Sequence, residues 1–420
     1  MTVRNNQFAA IFVRLTLVGI LLLTGAKAAF SQGVVDPEPQ SISTTLQQAG
    51  IPQNRDASST SANSNRQISD SPFQWGSLNL APHFLYRFLY GDGIQAAPGH
   101  PLVTAIDSIS PGFILEESNV WTLDYTPTWN LYSNHAFRDT LDQSVNLLAR
   151  KAYEDWTAQF VQGYSYSAEP LIETGSQTSE RNYTSTLDVT NRLSDRVLVD
   201  IDLNQDLQYA VGFPDNLTWS NQDWLHFRPA PELDTAVGSG LGYVVESEGS
   251  DSAYVRPEAQ FIWSPTNKIS MSLTAGLEHR EYYGRSSPSL NSPIYNVSLE
   301  YTPVEATKVT FTGSRQISPS LFEDQSNRST QWTAGIEQGL IQHLHLSASI
   351  EYSTVDYIAT NEALASIRND EILSYNARLS TTLLRRGTIA ILLQRSHDLS
   401  TIASFRYSSS QIGMELSYRY

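Results

Sequence analysis

The chain has 420 residues, 40% of them hydrophobic, and a formal net charge of −16. The acidic balance argues against nucleic acid as a partner, which calls for a basic stripe. The absence of cysteine excludes a disulfide scaffold, a thiolate metal site, a cysteine nucleophile and a lipid-modified N-terminal cysteine.

Mean hydropathy is −0.29, the value of many soluble proteins. A transmembrane barrel has the same average, because only every second residue of each strand is apolar. The N-terminus carries Arg4 and Arg14, then the apolar run Leu15 to Leu23, then Ala26-Lys27-Ala28. A positive region, a short apolar core and a small-x-small site predict a secretory signal peptide over residues 1–28. The core is too short to span a bilayer comfortably. Residues 29–72 are rich in Ser, Gln, Asn, Thr and Pro and cannot bury enough apolar surface to fold alone. They read as a flexible periplasmic segment, with a short helix at Ser43 to Ile51 as one local option. A plain linker is preferred over a plug, and residues 33–72 are the part open to a periplasmic partner.

Residues 73–420 alternate apolar and polar positions with period 2, the pattern of strands with one face in each environment. Segments fall near 74–90, 103–116, 119–133, 141–151, 154–166, 180–191, 195–210, 219–229 and 233–246. They continue near 253–264, 268–283, 291–302, 306–317, 328–339, 342–357, 370–384, 387–397 and 404–420. Short turns such as Leu193-Ser-Asp195, Ser264-Pro-Thr-Asn267 and Thr302-Pro-Val-Glu305 alternate with long polar loops, among them Ala168 to Ser179, Val211 to Thr218 and Ala359 to Asn369. That asymmetry belongs to outer-membrane barrels. The prediction is an all-β, antiparallel up-and-down transmembrane barrel of about 18 strands, with 16 as the fallback. Pro111, Pro127 and a helical turn at Ala136 to Leu141 interrupt the pattern between 91 and 145.

Aromatic residues gather near segment ends: Trp263, Tyr282, Tyr283, Tyr301, Trp332, Tyr352, Tyr357 and Tyr375. Rings at both interfaces form the girdles of such barrels. The last segment places Ile412, Met414, Leu416, Tyr418 and Tyr420 on one face. Tyr418 and Tyr420 resemble the C-terminal signal read by the barrel-assembly machinery, and this strand has to pair with the first, since no open edge survives in lipid. The phase puts Asp188, Asp200, Asp202, Asp206, Glu278, Glu300, Glu351 and Glu415 on the lumen face, with Lys308, Arg315, Arg378 and Arg419 as opposing charges. Together they describe a water-filled acidic lumen, although any single charge also goes simply where water is.

His343 and His345 share a strand face, but no third ligand follows from spacing, so no metal is assigned. His345 with Ser347 or Ser349 lacks a third partner and an oxyanion hole, and neither Gly-x-Ser-x-Gly nor His-Glu-x-x-His occurs. No enzyme activity and no cofactor are called for.

From Trp75 onward the chain resembles a β-barrel porin family of Gram-negative outer membranes, often encoded beside exopolysaccharide genes. Leu80-Ala-Pro82, Tyr90-Gly-Asp-Gly-Ile94, Ser110-Pro-Gly-Phe113, Trp121-Thr-Leu-Asp-Tyr125 and Leu416-Ser-Tyr-Arg-Tyr420 carry the resemblance. It implies an outer-membrane location, lipid around the barrel and a channel function. The leading reading is a pore for small hydrophilic solutes, with the loop Val211 to Thr218 and its neighbours as the candidate constriction. The alternatives are a barrel component of exopolysaccharide secretion, or a structural barrel with a blocked lumen.

Overall fold

The computed structural model describes residues 73–419, except 96, 119, 284–288, 342, 361–367, 384 and 385. The signal-peptide and flexible-segment readings, and Tyr420, lie outside the described residues. So do the tips of two long loops.

Eighteen strands form one closed antiparallel sheet. They are β1 (Leu78–Gln95), β2 (Pro101–Glu117), β3 (Trp121–Tyr132), β4 (Thr140–Tyr153), β5 (Trp156–Ser167) and β6 (Glu180–Ser194). Then come β7 (Val197–Ala210), β8 (Asn216–Ala230), β9 (Leu233–Glu246), β10 (Asp251–Thr266), β11 (Ile269–Tyr283) and β12 (Leu290–Val304). The last six are β13 (Thr307–Pro319), β14 (Gln325–Ile341), β15 (Leu344–Ala359), β16 (Asn369–Leu383), β17 (Gly387–Asp398) and β18 (Tyr407–Arg419). Each pairs with the next, and β18 closes the ring on β1 through Phe84↔Tyr418, Arg87↔Glu415 and Tyr90↔Ile412. Closure leaves no unpaired edge, the condition for a sheet in lipid. The strands run from 12 to 18 residues, longer than the 9–11 that a tilted strand needs to cross a bilayer. No helix among the described residues is long and apolar enough to cross a membrane.

Alternation fixes which way each side chain points. On β7, Ile201, Leu203 and Tyr209 are exposed on the outer face, while Asp200, Asp202, Asn204 and Asp206 take the inner one. The same parity runs round the ring: Ile412, Met414 and Leu416 of β18 are exposed outside, and Glu415 is buried inside. One end of the barrel carries two-residue turns, such as those between β6 and β7 and between β11 and β10. There the sheet continues into the turns, with Arg228 N–H bonded to the Arg196 carbonyl (2.8 Å) and Thr302 N–H to that of Lys268 (2.8 Å). The other end carries the long loops.

Three sequence expectations need correction. The first strand is not continuous from 74: Phe73–Trp75 folds back on Leu78–Leu80 through Gly76, whose φ of 63° suits glycine. Residues 133–139 form a loop rather than a helical turn, held by Tyr132 and Phe137 stacked at 5.4 Å. Tyr282 and Tyr357, placed in the girdle by position, are buried and on the inner parity. Pro111 and Pro127 do lie within strands. The β2–β3 ladder breaks between Ile109↔Trp129 and Phe113↔Tyr125, where these two prolines have no N–H to give.

Candidate functional site

The lumen wall carries two different kinds of charged surface. The first is on β6 and β7. Asp188, Asp200, Asp202 and Asp206 all take the inner parity, and Asp202 pairs directly across from Asp188. Asp200 is held by His226 of β8, whose Nε2 lies 3.0 Å away. The same imidazole reaches Asp234 of β9 at 2.9 Å, and Arg228 bonds the other oxygen of Asp234 at 2.7 Å. Asp202 and Asp206 make no ion pair among the described residues. They present free carboxylates to the lumen.

The second kind is a carboxylate gripped by two guanidiniums. Glu415 on β18 accepts hydrogen bonds from Arg87 of β1 (2.9 Å) and Arg378 of β16 (2.9 Å). Glu278 on β11 is clasped by Arg256 of β10 (2.6 Å) and by Arg280 (2.7 Å). Both of those guanidiniums lie over the Tyr254 ring, 4.3 and 4.7 Å from its centre. Gly242, facing Tyr254 across the strand pair, leaves room for that ring, since a Cβ there would sit 2.1 Å from it. Each cluster has two positive groups to one negative. Arg378 on β16 stands nine places from β7 in the ring of eighteen, directly across the lumen, with Glu415 on β18 seven and Arg87 on β1 six places away, so the cluster lies on the wall facing the acidic column.

Other predicted residues contribute less. Glu300 pairs with Lys308 at 2.9 Å, both partly exposed beside a two-residue turn. Glu351 is half-buried on the inner face of β15, and Arg419 ends β18 at the short-turn end. Arg315 is a correction. It shares parity with the exposed Val309 and Phe311 and stands between Tyr295 and Thr330, which places it on the outer wall.

The long-loop end is crossed by chain. The loop 168–179 starts at β5, where Ala168 N–H bonds Asp142 (3.1 Å), and folds on itself as a short hairpin, Pro170–Leu171 against Ser176–Gln177. Its tip, Glu173, reaches the far side of the mouth. The Glu173 carboxylate accepts from Ser320 Oγ (2.7 Å), Leu321 N–H (2.8 Å) and Nδ2 of Asn327, an inward-facing residue of β14 (3.1 Å). Arg368 locks the tip by donating to the carbonyls of Glu173 (2.7 Å) and Ile172 (3.1 Å). The Arg368 guanidinium is itself set between the rings of Tyr357 (4.5 Å) and Phe405 (3.6 Å) and paired with Asp370 (2.6 Å). The loop 320–324 comes to meet this tip. It bonds Asn216 of β8 (3.3 Å) through the Ser320 carbonyl and packs Phe322 edge-on to Phe213 at 5.6 Å. Burial and then the neighbouring Glu248 raise the Asp215 carboxyl on this rim above its ordinary range.

The crossing loop is therefore 168–179, a neighbour of Val211 to Thr218 rather than that segment itself. Asn216 to Thr218 belong to β8, where they pair with β7 and β9. Sequence reasoning passed over Arg87, Arg256 and Arg280, although their inner parity was readable. Glu173 and Arg368 gave no periodic signal at all.

Residues 246–420 match the family described as Putative beta-barrel porin 2. That stretch holds β10 to β18, including the β18 side of the β1–β18 closure. No curated protein matches the chain. Among solved structures, OccK2 (OpdF) of Pseudomonas aeruginosa is 9% identical with a TM-score of 0.46, over 81% of this chain and 98% of that one. OccAB3 of Acinetobacter baumannii is 7% identical with a TM-score of 0.46, over 81% and 99%. The copper transporter OprC is 10% identical with a TM-score of 0.42, over 79% of this chain, which spans 62% of that protein's length. The barrel is porin-like, and the family matched by its C-terminal part is one of porins.

Proposed function

We propose that the protein is an outer-membrane channel for passive passage of small hydrophilic solutes, with the short turns in the periplasm and the long loops outside the cell. The observation that carries this reading is the inner face of the ring, where free carboxylates on β6 and β7 oppose the Arg87–Glu415–Arg378 cluster. An 18-stranded barrel is wide enough to hold water unless loops fill it. Opposed charges across such a lumen set up a transverse field that orients a solute bearing both signs. The loop 168–179, latched by Arg368, supplies the constriction. Binding, orienting and excluding are the tasks of these side chains, and no bond chemistry is required of them. The exposed aromatic rings are concentrated on the outer wall, which favours a pore over a conduit with a ring track for glycans.

The test is single-channel recording of the refolded protein in a planar bilayer with a salt gradient across it. Stable current steps with a cation-biased reversal potential are expected. A folded barrel that stays electrically silent would overturn the open-pore reading.

A further inference from the structure

The outer wall is not uniform. On β10 to β12 its residues between the aromatic ends are apolar, as Val255, Ala259, Met271, Leu273, Val297 and Leu299 show. On β5 to β9 the same face carries Gln162, Ser185, Gln205, Asn221, Asp223 and Ser239. Their outward parity is fixed by exposed neighbours on the same strands: Leu187, Leu203, Leu225 and Leu241. The polar residues adjoin one another. Gln162 pairs across from Ser185, Ser185 from Gln205, and Asp223 from Ser239. Ser185 Oγ donates to Gln162 (2.8 Å), and Asn221 Nδ2 donates to one oxygen of Asp223 (2.8 Å).

Asp223 is the decisive member. On its strand face it stands between Trp219 and Phe227, both exposed aromatic residues, and so within the apolar band rather than at its edge. No cationic side chain pairs with it among the described residues. A carboxyl facing hydrocarbon is unfavourable, and polar groups at membrane depth are retained where another protein surface satisfies them. Acyl chains have no hydrogen-bonding groups to offer. Amides and hydroxyls both donate and accept, so a strip of Gln, Asn and Ser is complementary to a copy of itself. Self-complementarity is what a two-fold interface requires.

We propose that the outer face of β5 to β9 is a subunit interface, occupied within the membrane by a second copy of this chain. At the two-fold axis the free oxygen of Asp223 would meet amide and hydroxyl donors of the facing strip, and the apolar wall of β10 to β12 would stay in lipid.

The chain's lack of cysteine makes the test direct. Single variants Gln205→Cys and Asn221→Cys on the polar strip, and Leu273→Cys on the apolar wall, are expressed in the full chain and treated with a short bis-maleimide in intact outer membranes. Products are identified by mass. The expectation is a homodimer from the first two variants and none above background from the third. Adding Asp223→Leu to Asn221→Cys should remove the product while the heat-modifiable mobility of a folded barrel is kept. Equal yields from all three positions, no product from the polar strip, or a product joined to a different protein would each overturn the proposal. So would full yield from the Asp223→Leu chain. None of these outcomes depends on whether the barrel conducts.

Discussion

Glu278 and Asp202 are both carboxylates on the inner parity of the same ring, yet their surroundings are opposite. Glu278 is 1% exposed, clasped by two guanidiniums that rest on a tyrosine ring. Asp202 has Asp188 across from it on the neighbouring strand and no cation in contact. A carboxylate bound on both oxygens spends its field on its partners and ties neighbouring strands together. A carboxylate without partners contributes little to the wall and projects its field into the water. Charge on the inner face is thus of two sorts, one structural and one available to a solute, and parity alone does not separate them.

The largest expected effect comes from breaking the structural sort. Glu278→Leu leaves Arg256 and Arg280 side by side without the carboxylate that contacts both, and removing one partner of a buried ion pair typically costs about 3–5 kcal/mol. Urea unfolding of the refolded barrel in lipid would show it as a lower midpoint. Glu415→Leu should cost less, because Arg378 and Arg87 are 24% and 15% exposed, against 2% for Arg280, and water takes over part of the lost interaction. Equal losses at the two sites would mean that the Tyr254 platform and burial add nothing to the Glu278 cluster.

Next in size is the latch. Arg368→Ala removes the donor to two loop carbonyls and opens the Tyr357–Phe405 slot. Hydrogen bonds to charged groups are worth about 1.5–3 kcal/mol each, so the tip of loop 168–179, left with the Glu173 carboxylate bonds, should loosen while the barrel stays folded. Larger and noisier unitary current steps are expected in single-channel records. Steps of unchanged size and noise would show that the loop does not set the conductance.

How far the sequence reached follows the same division. The eighteen strands were readable because lipid on one side and water on the other impose strict alternation on every one, and turn length marks the two ends. The Val211 to Thr218 loop was overestimated because Asn216-Leu-Thr218 is polar enough to read as loop, yet pairs on both sides as strand. Arg315 was misplaced by one position of phase near the end of β13, where no long apolar run fixes the count. Arg87 and Glu415 are 328 positions apart, and only the register of the closing strand pair brings them together. The latch was invisible for a related reason. Glu173 and Arg368 meet through the fold of loops, and loops carry no period.

The available sort of charge is tested on selectivity rather than on stability. The double variant Asp202→Asn, Asp206→Asn keeps size and hydrogen-bonding capacity and removes two charges from the acidic column. Unfolding should move by no more than about 0.5 kcal/mol, as for substitutions that break no contact. The reversal potential in a salt gradient should shift toward anions. A stable, conducting variant with unaltered reversal potential would place the selecting charge elsewhere, with the acidic rim of the mouth the next to test.

Among the ion pairs, the smallest effect is expected at Glu300. Its contact with Lys308 is as short as those of the arginine clusters, at 2.9 Å, so distance alone would class it with them. Exposure argues otherwise: the side chains are 46% and 39% exposed beside a two-residue turn. Water screens such a pair and both side chains lose rotamer freedom in forming it, which leaves about 0.2–1 kcal/mol. Glu300→Gln should therefore unfold within that margin of the parent and, sitting at the short-turn end away from the latch, should leave step size unchanged. A loss as large as that of Glu415→Leu would mean that contact distance, not burial, decides which lumen carboxylates hold the wall together.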